Sequence, residues 1–160
     1  MSERSDVDLG FAGVTRKVMP NGQMRIRTKL ANGVTTTVTE MPRWDSKDCI
    51  PWEEEHFHQG LIEHYLIISG RAVITHSDGG FGIEFLREEG FSASRRFVPG
   101  ISHLVLLGPG CIIQTTTKGV PVGNPDKSNN DWWPGNASLL SMALTREAEI
   151  ISFLLNKSSG

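Results

Sequence analysis

The feature that most constrains the fold is a series of short β-rich segments between His56 and Thr117. These segments are HYLIIS, RAVITHS, FGIEFL, SRRFV, SHLVLL and CIIQTTT, and the turn residues Gly70, DGG, REEG, PG and GPG separate them. Strands with a turn every eight to twelve residues or so are typical of β-sandwiches and barrels. Nothing between the segments has helical length or period, so a parallel βαβ sheet is disfavoured.

The sequence on either side of this region has a different character. Residues 1–22 are expected to form an irregular arm, and β-rich runs on both sides of Asn32-Gly33 predict a hairpin. Residues 119–136 are rich in Pro, Gly, Asn and Asp, which predicts a loop. Apolar residues then recur with helical spacing and predict one C-terminal helix over 137–157. With the β-barrel assigned to 23–118, the 160 residues suit one domain.

Composition argues against several classes of partner. The formal net charge is −2 and no Lys/Arg run is longer than a pair, whereas nucleic acid or an anionic membrane needs a concentrated basic surface. No apolar run approaches the roughly 20 residues that span a bilayer, and the opening MSERSDVDLG lacks the apolar core of a signal peptide. A cytoplasmic protein is therefore expected. In that compartment Cys49 and Cys111, which form no CxxC pair, are expected to be buried thiols rather than a disulfide.

The stretch HFHQGLIEHYLIISG places His56 and His58 one residue apart. Residues two apart on a strand face the same way, so both imidazoles project together, either into the barrel or into solvent. If the strands before and after the following Gln-Gly bend pair antiparallel, Glu63 meets the imidazoles, and His103 on a later strand offers a third nitrogen. Such a set suits a divalent transition metal, and an octahedral ion would keep two positions open for water, substrate or dioxygen. The alternative is an ordinary solvated strand face.

These residues resemble the first motif of the cupins, which is HxH, three or four residues, Glu, six residues and Gly. The stretch from His56 to Gly70 matches it at every specified position. The second cupin motif is similar to the stretch from Gly90 to His103, although Pro is adjacent to Gly here and Leu107 replaces an expected Asn. The resemblance covers about residues 50–118.

What the resemblance implies is an all-β fold, a double-stranded β-helix (jelly-roll) barrel, with an N-terminal hairpin and a C-terminal helix added here. It also implies one divalent metal ion (Mn, Fe, Ni or Zn) held by His56, His58, Glu63 and His103. Because cupins often pair through their sheets, it implies a homodimer as well.

Strand alternation nominates further pocket residues. If Glu63 points inward, so does Tyr65, which would hydrogen-bond a ligand or act as an acid, or else simply pack in the barrel. Arg27 and Arg96 are candidates for holding a carboxylate or phosphate through two parallel hydrogen bonds, with surface positions as the alternative. Gln114 is a third candidate. It faces either the ligand or water, and strand parity does not decide between the two.

Three further side chains have two interpretations each. Trp132 and Trp133 are expected to pack the C-terminal tail onto the barrel, with sugar stacking as the alternative. His76, beside the DGG turn, is expected to be an exposed histidine rather than a functional one.

Any chemistry rests on the metal, since no Ser-His-Asp, Cys-His, P-loop or HExxH arrangement can be assigned. The first hypothesis is an enzyme acting on a small oxygen-rich molecule such as a sugar, a sugar acid or a dicarbonyl. Chelation of two substrate oxygens would acidify a C–H bond for isomerisation, epimerisation or β-elimination, with Tyr65 or another pocket residue moving the proton. The alternatives are an iron or nickel dioxygenase and a barrel that binds a small ligand without turnover.

Overall fold

The β-rich segments form two antiparallel sheets that face each other in the computed structural model, which describes residues 7–8, 13–30, 34–45, 50–88 and 93–155. The strands are β1 Val7–Asp8, β2 Val14–Val18, β3 Met24–Lys29, β4 Thr35–Glu40, β5 His56–Phe57, β6 Leu61–Ser69, β7 Arg71–His76, β8 Gly82–Arg87, β9 Ser94–Phe97, β10 His103–Leu107, β11 Ile112–Gly119 and β12 Trp133–Pro134. Two helices follow, α1 Ser138–Leu144 and α2 Glu147–Leu155. No helix in the described ranges is long and apolar enough to cross a membrane.

The larger sheet has the strand order β1-β2-β3-β4-β11-β6-β9, and the smaller has the order β12-β5-β10-β7-β8. From β5 to β11 the chain passes back and forth between the two sheets, which is the connectivity of a jelly roll. The all-β jelly-roll prediction is therefore confirmed. The predicted sites Asn32-Gly33, Cys49 and Gly90 lie outside the described residues.

Two apolar clusters hold this arrangement together. The first fills the space between the sheets, where Ile67 and Ile113 of the larger sheet meet Ile74 and Val105 of the smaller. The second covers the outer face of the smaller sheet with the helices; its buried members are Val73, Leu106, Ala143, Ile150 and Leu154. Because β7 is buried on both faces, the helices are part of the core rather than an appendage.

The predicted hairpin is confirmed, since β3 and β4 pair from Met24–Glu40 to Lys29–Thr35. The expectation of an irregular arm over 1–22 is wrong for Val14–Val18, which forms β2 and pairs with β3. Charged residues at the centre of β2 obscure its alternation in the sequence. The edge of β3 nevertheless supplies its backbone groups with hydrogen-bond partners, and this overrides the weak local pattern.

The single helix expected over 137–157 is two helices. Thr145 N–H and Arg146 N–H donate to the carbonyls of Met142 and Ala143 at 3.2 and 2.9 Å, bonds to the third residue back that tighten the chain and end α1. The Thr145 hydroxyl also donates to the Met142 carbonyl at 2.6 Å. The apolar period continues across this break, so periodicity alone does not reveal it.

Candidate metal centre

Four polar side chains converge between the sheets at one end of the barrel. Strand β5 carries His56 and leads directly to His58, while β10 places His103 opposite His56. Glu63 reaches them from β6 in the other sheet. One ligand atom from each of the four lies within 4.8 Å of the others. Strand pairing within the smaller sheet thus brings the histidines together, and the larger sheet, which faces it, supplies Glu63.

Each of the three imidazoles is held from behind by a backbone carbonyl. The Nδ1 contacts are to the carbonyls of Glu54 for His56 (3.0 Å), Ile101 for His103 (3.0 Å) and Asp131 for His58. A proton on Nδ1 donates to the carbonyl, which leaves the lone pair of Nε2 free to act as a metal ligand.

All three Nε2 atoms are directed toward the Glu63 carboxylate. Its Oε2 lies 3.9 Å from His56 Nε2 and 3.5 Å from His103 Nε2, and it contacts His58 Nε2 directly. His103 is fully buried, and its Nε2 has no hydrogen-bond partner. A buried polar atom without a partner costs about 1–3 kcal/mol, a cost that coordination to a cation would remove. The donor set therefore fits a transition-metal ion.

The charge states of these groups also suit a cation. Burial alone would raise the pKa of Glu63, but the imidazoles of His103, His56 and His58 around it hold that pKa well below its usual range. Burial would likewise lower the pKa of His58, yet the hydrogen bond to Glu63 and its charge raise it. Burial, and then the charge of His56, lower the pKa of His103. The centre therefore combines an ionised carboxylate with a neutral buried imidazole.

Tyr65 points into the barrel, as strand parity predicts, and is 3% exposed. Its ring centroid lies 5.8 Å from that of His103 and 6.1 Å from that of Phe97. Burial raises the pKa of the Tyr65 phenol well above its usual value, and the charges of Glu63 and Glu53 raise it further. The phenol is thus a protonated group beside the carboxylate.

Arg27 faces the same side of the larger sheet as Tyr65. The two residues belong to one cross-strand row, with Thr37 and Thr115 between them, and side chains in such a row share a face. Arg27 makes no hydrogen bond or ion pair with another residue in the described part of the chain. Arg25, on the same face, is by contrast engaged with Glu53 at 3.2 Å.

Arg96 and Gln114 lie on the other face of this sheet. Arg96 pairs with His64, and Gln114 pairs with Leu66, which is 38% exposed. All four alternate with the inward-facing residues of their strands, so their side chains point away from the metal ligands. Arg96 and Gln114 therefore do not line the pocket. The alternatives, a surface arginine and a water-facing glutamine, agree with this register.

The Trp132-Trp133 segment packs against the site. The Trp132 ring stacks with that of His56 at 5.5 Å and 15°, and Lys127 Nζ lies 4.6 Å from the centroid of the same indole. Trp133 belongs to β12 and pairs with Phe57. Both tryptophans therefore hold the segment to the barrel, in agreement with the first interpretation of the sequence.

Two residues near the site differ from expectation. His76 is 8% exposed, not an exposed turn residue, because it lies opposite His103 in the smaller sheet and its Nε2 is 3.1 Å from Glu84 Oε2. Asp131, which no motif in the sequence marks, contacts His58 although 73 residues separate them. Composition identifies its surroundings only as a loop.

Comparison with solved structures places this fold among the cupins. A single-residue variant of oxalate decarboxylase from Bacillus subtilis superposes with a TM-score of 0.55 at 13% identity, over 99% of this chain and 41% of that one. CapF bound to the inhibitor 3-isopropenyl-tropolone gives 0.53 at 13% identity, over 75% of this chain and 33% of that one. CapF from Staphylococcus aureus gives 0.50 at 13% identity, over 75% and 32%.

The fold and site thus define a cupin barrel with a three-histidine, one-carboxylate centre. The chain spans less than half the length of these structural neighbours. No protein-family model and no curated protein matches its sequence. At this identity the likeness establishes the cupin fold alone.

Proposed function

We propose that the chain is a metal-dependent cupin enzyme acting on a small oxygen-rich substrate, such as a sugar, a sugar acid or a dicarbonyl, by isomerase, epimerase or lyase chemistry. The observation that carries the proposal is the convergence of His56, His58, Glu63 and His103, with every Nδ1 tied to a carbonyl and every Nε2 aimed at the centre. A divalent ion held there would polarise substrate oxygens as a Lewis acid.

Tyr65 is the proposed proton carrier. Its raised pKa keeps the phenol protonated at neutral pH, so it acts as an acid or a hydrogen-bond donor and not as a base. Its ring centroid lies 5.8 Å from that of His103, one of the four proposed ligands. In this role it donates a hydrogen bond to a substrate oxygen whose negative charge grows during the reaction.

Arg27 is the proposed anion-holding residue. Its inward face, and a guanidinium without a partner among the described residues, support a bidentate contact with a substrate carboxylate.

Metal analysis tests the proposal most directly. Protein purified without an affinity tag or chelator is analysed by mass spectrometry beside His58→Ala, His103→Ala and a control, His64→Ala, whose side chain lies on the outer face. We expect near-stoichiometric metal in the wild type and the control, and its loss from the two ligand variants. A wild type that contains no metal, and takes up none of Mn, Fe, Ni or Zn, would contradict the metalloenzyme.

The identity of the metal then directs the assay. Manganese or zinc, with turnover of sugar acids or dicarbonyls, supports the isomerase or lyase. Iron or nickel, with dioxygen uptake in the presence of these substrates, supports the dioxygenase instead. Bound metal and bound sugar acid without turnover of any kind would indicate a binding protein.

We also propose a homodimer paired through the larger sheet. Its outer face carries Ile26, Val38, Leu66 and Ile68, each between 37% and 46% exposed. Sedimentation analysis should give a dimer for the wild type and a monomer for Leu66→Asp. A wild type that is monomeric at micromolar concentration would overturn this part of the proposal.

A further inference from the structure

Asp131 closes the turn that joins the two ligand-bearing strands. Its side chain is almost fully buried, and its Oδ1 accepts from Gln59 N–H at 2.8 Å. Its Oδ2 accepts from Gly60 N–H at 2.8 Å and from Leu61 N–H at 3.1 Å. Three successive backbone donors between His58 and Glu63 therefore end on one carboxylate.

The backbone of the same residue holds a ligand directly. The Asp131 carbonyl contacts Nδ1 of His58, and this contact favours the tautomer whose Nε2 lone pair faces Glu63. Burial would raise the pKa of Asp131, but the N–H groups of Gln59 and Gly60 lower it, so the carboxylate is ionised. A single residue thus fixes both the imidazole and the turn that follows it.

The segment around Asp131 is itself anchored. Asn124 donates from Nδ2 to the Trp132 carbonyl at 3.0 Å, and its N–H donates to the Asn130 carbonyl at 2.9 Å. On the opposite side of the turn, a Cβ added to Gly60 would lie 1.9 Å from the Val120 carbonyl oxygen. The turn is therefore enclosed between Val120 and Asp131 and has little freedom to move.

We infer that Asp131 is a positioning residue for the metal centre. Its carboxylate sets the turn that places His58 against Glu63, and its carbonyl selects the His58 tautomer that presents Nε2. The inference rests on the proposed metal function and adds to it a residue outside both ligand motifs. Groups that orient metal-binding histidines typically change metal affinity by about 10–100-fold when they are removed.

The first test measures Zn²⁺ affinity by competition with a chromophoric chelator. The variants are Asp131→Asn and a matched control, Asp126→Asn, which makes the same substitution at an exposed position of the same segment. We expect Asp131→Asn to bind Zn²⁺ about 10–100-fold more weakly and the control to stay within about twofold of wild type. Wild-type affinity in Asp131→Asn would overturn the inference while leaving the metal proposal intact.

The second test needs no metal and therefore separates this inference from the proposed function. Long-range ¹H–¹⁵N spectra of the metal-free protein report the tautomer of each imidazole, and His58→Gln assigns the His58 signals. The spectra are recorded at alkaline pH, where the imidazole is neutral. The expected result is the Nδ1-protonated tautomer in the wild type and a mixture in Asp131→Asn, because loss of the carboxylate releases the turn and moves the Asp131 carbonyl away from Nδ1. An unchanged tautomer would reduce Asp131 to a purely structural role and overturn the inference.

If Asp131→Asn does not fold, amide hydrogen exchange in the wild type tests whether the Asp131 carboxylate holds the turn. The Gln59 and Gly60 amides should exchange slowly, because the Asp131 carboxylate is their acceptor. Exchange at the rate of an open turn would show that the contact is not maintained in solution, and the inference would fail.

Discussion

His103 and Phe97 stack face to face, with ring centroids 4.5 Å apart and 3° between the ring planes. His103 belongs to the smaller sheet and Phe97 to the larger, so the stack joins the two sheets beside the candidate metal centre. The Arg95 guanidinium lies 4.9 Å from the centroid of the same phenyl ring. Phe97 therefore sets the plane of an imidazole whose Nε2 has no hydrogen bond of its own.

Replacing Phe97 by alanine should lower the free energy of unfolding by about 3–5 kcal/mol, because the change leaves a cavity between the sheets. Urea unfolding of the metal-free protein measures this loss. The control is Phe81→Ala, at a position 37% exposed, where we expect a loss below about 1 kcal/mol. Equal losses at the two positions would contradict the role given to the stack.

Gly82 leaves room for the His76 ring. A Cβ at this position would lie 2.5 Å from His76 Cε1, so Gly82→Ala should destabilise the protein by about 1–3 kcal/mol through overpacking. In a His76→Ala background the same substitution should cost much less. A double-mutant cycle measured by urea unfolding gives the coupling, and additive losses would argue against the contact.

Tyr65 is the chain's one tyrosine, so its ionisation can be followed without interference. The near-ultraviolet tyrosinate band of the metal-free protein should appear with a midpoint well above pH 10, because burial raises the pKa of this phenol. A folded pKa above the unfolded one stabilises the protein below pH 10, and this contribution is lost as the pH rises through the folded pKa. A midpoint near 10 in the folded protein would show a solvated phenol.

Cys111 provides a second alkaline probe. Burial raises the pKa of its thiol to about 12, against 9.0 for an ordinary cysteine. Below pH 9 the thiol is neutral in both states; above it the unfolded chain loses the proton first, so stability falls as the pH rises toward 12. Urea unfolding between these limits should show a shallower decline for Cys111→Ala than for the wild type. Parallel declines would mean that the thiol is not buried.

Much of the candidate site is predictable from the sequence because its information is local. Strand parity relates His56 to His58, and the motif spacing adds Glu63 after four intervening residues, although this residue reaches the histidines from the other sheet. Tyr65 follows from Glu63 by the same parity. His103 needs the second motif, whose Pro-Gly turn precedes it in the chain.

The remaining errors come from register and long-range contact. Gln114 and Arg96 could not be oriented, because parity gives a direction only relative to a neighbour of known orientation, and their partners on β6 appear only once the strands are paired. Asp131 is not predictable from the sequence, because 72 residues separate it from Gln59 and its segment shows no hydrophobic periodicity. Similarly, β2 forms because it pairs with the edge of β3, and its own hydrophobic pattern does not predict a strand.

The enclosure of the turn at Gly60 has a consequence for how this centre can be altered. Even one added methyl group there meets the chain at Val120, and on the other side three backbone donors are committed to Asp131. Inserting or deleting a residue between His58 and Glu63 would therefore disrupt these contacts. Redesign of this barrel for a different ion should exchange donor atoms at fixed positions and leave the length of the turn untouched.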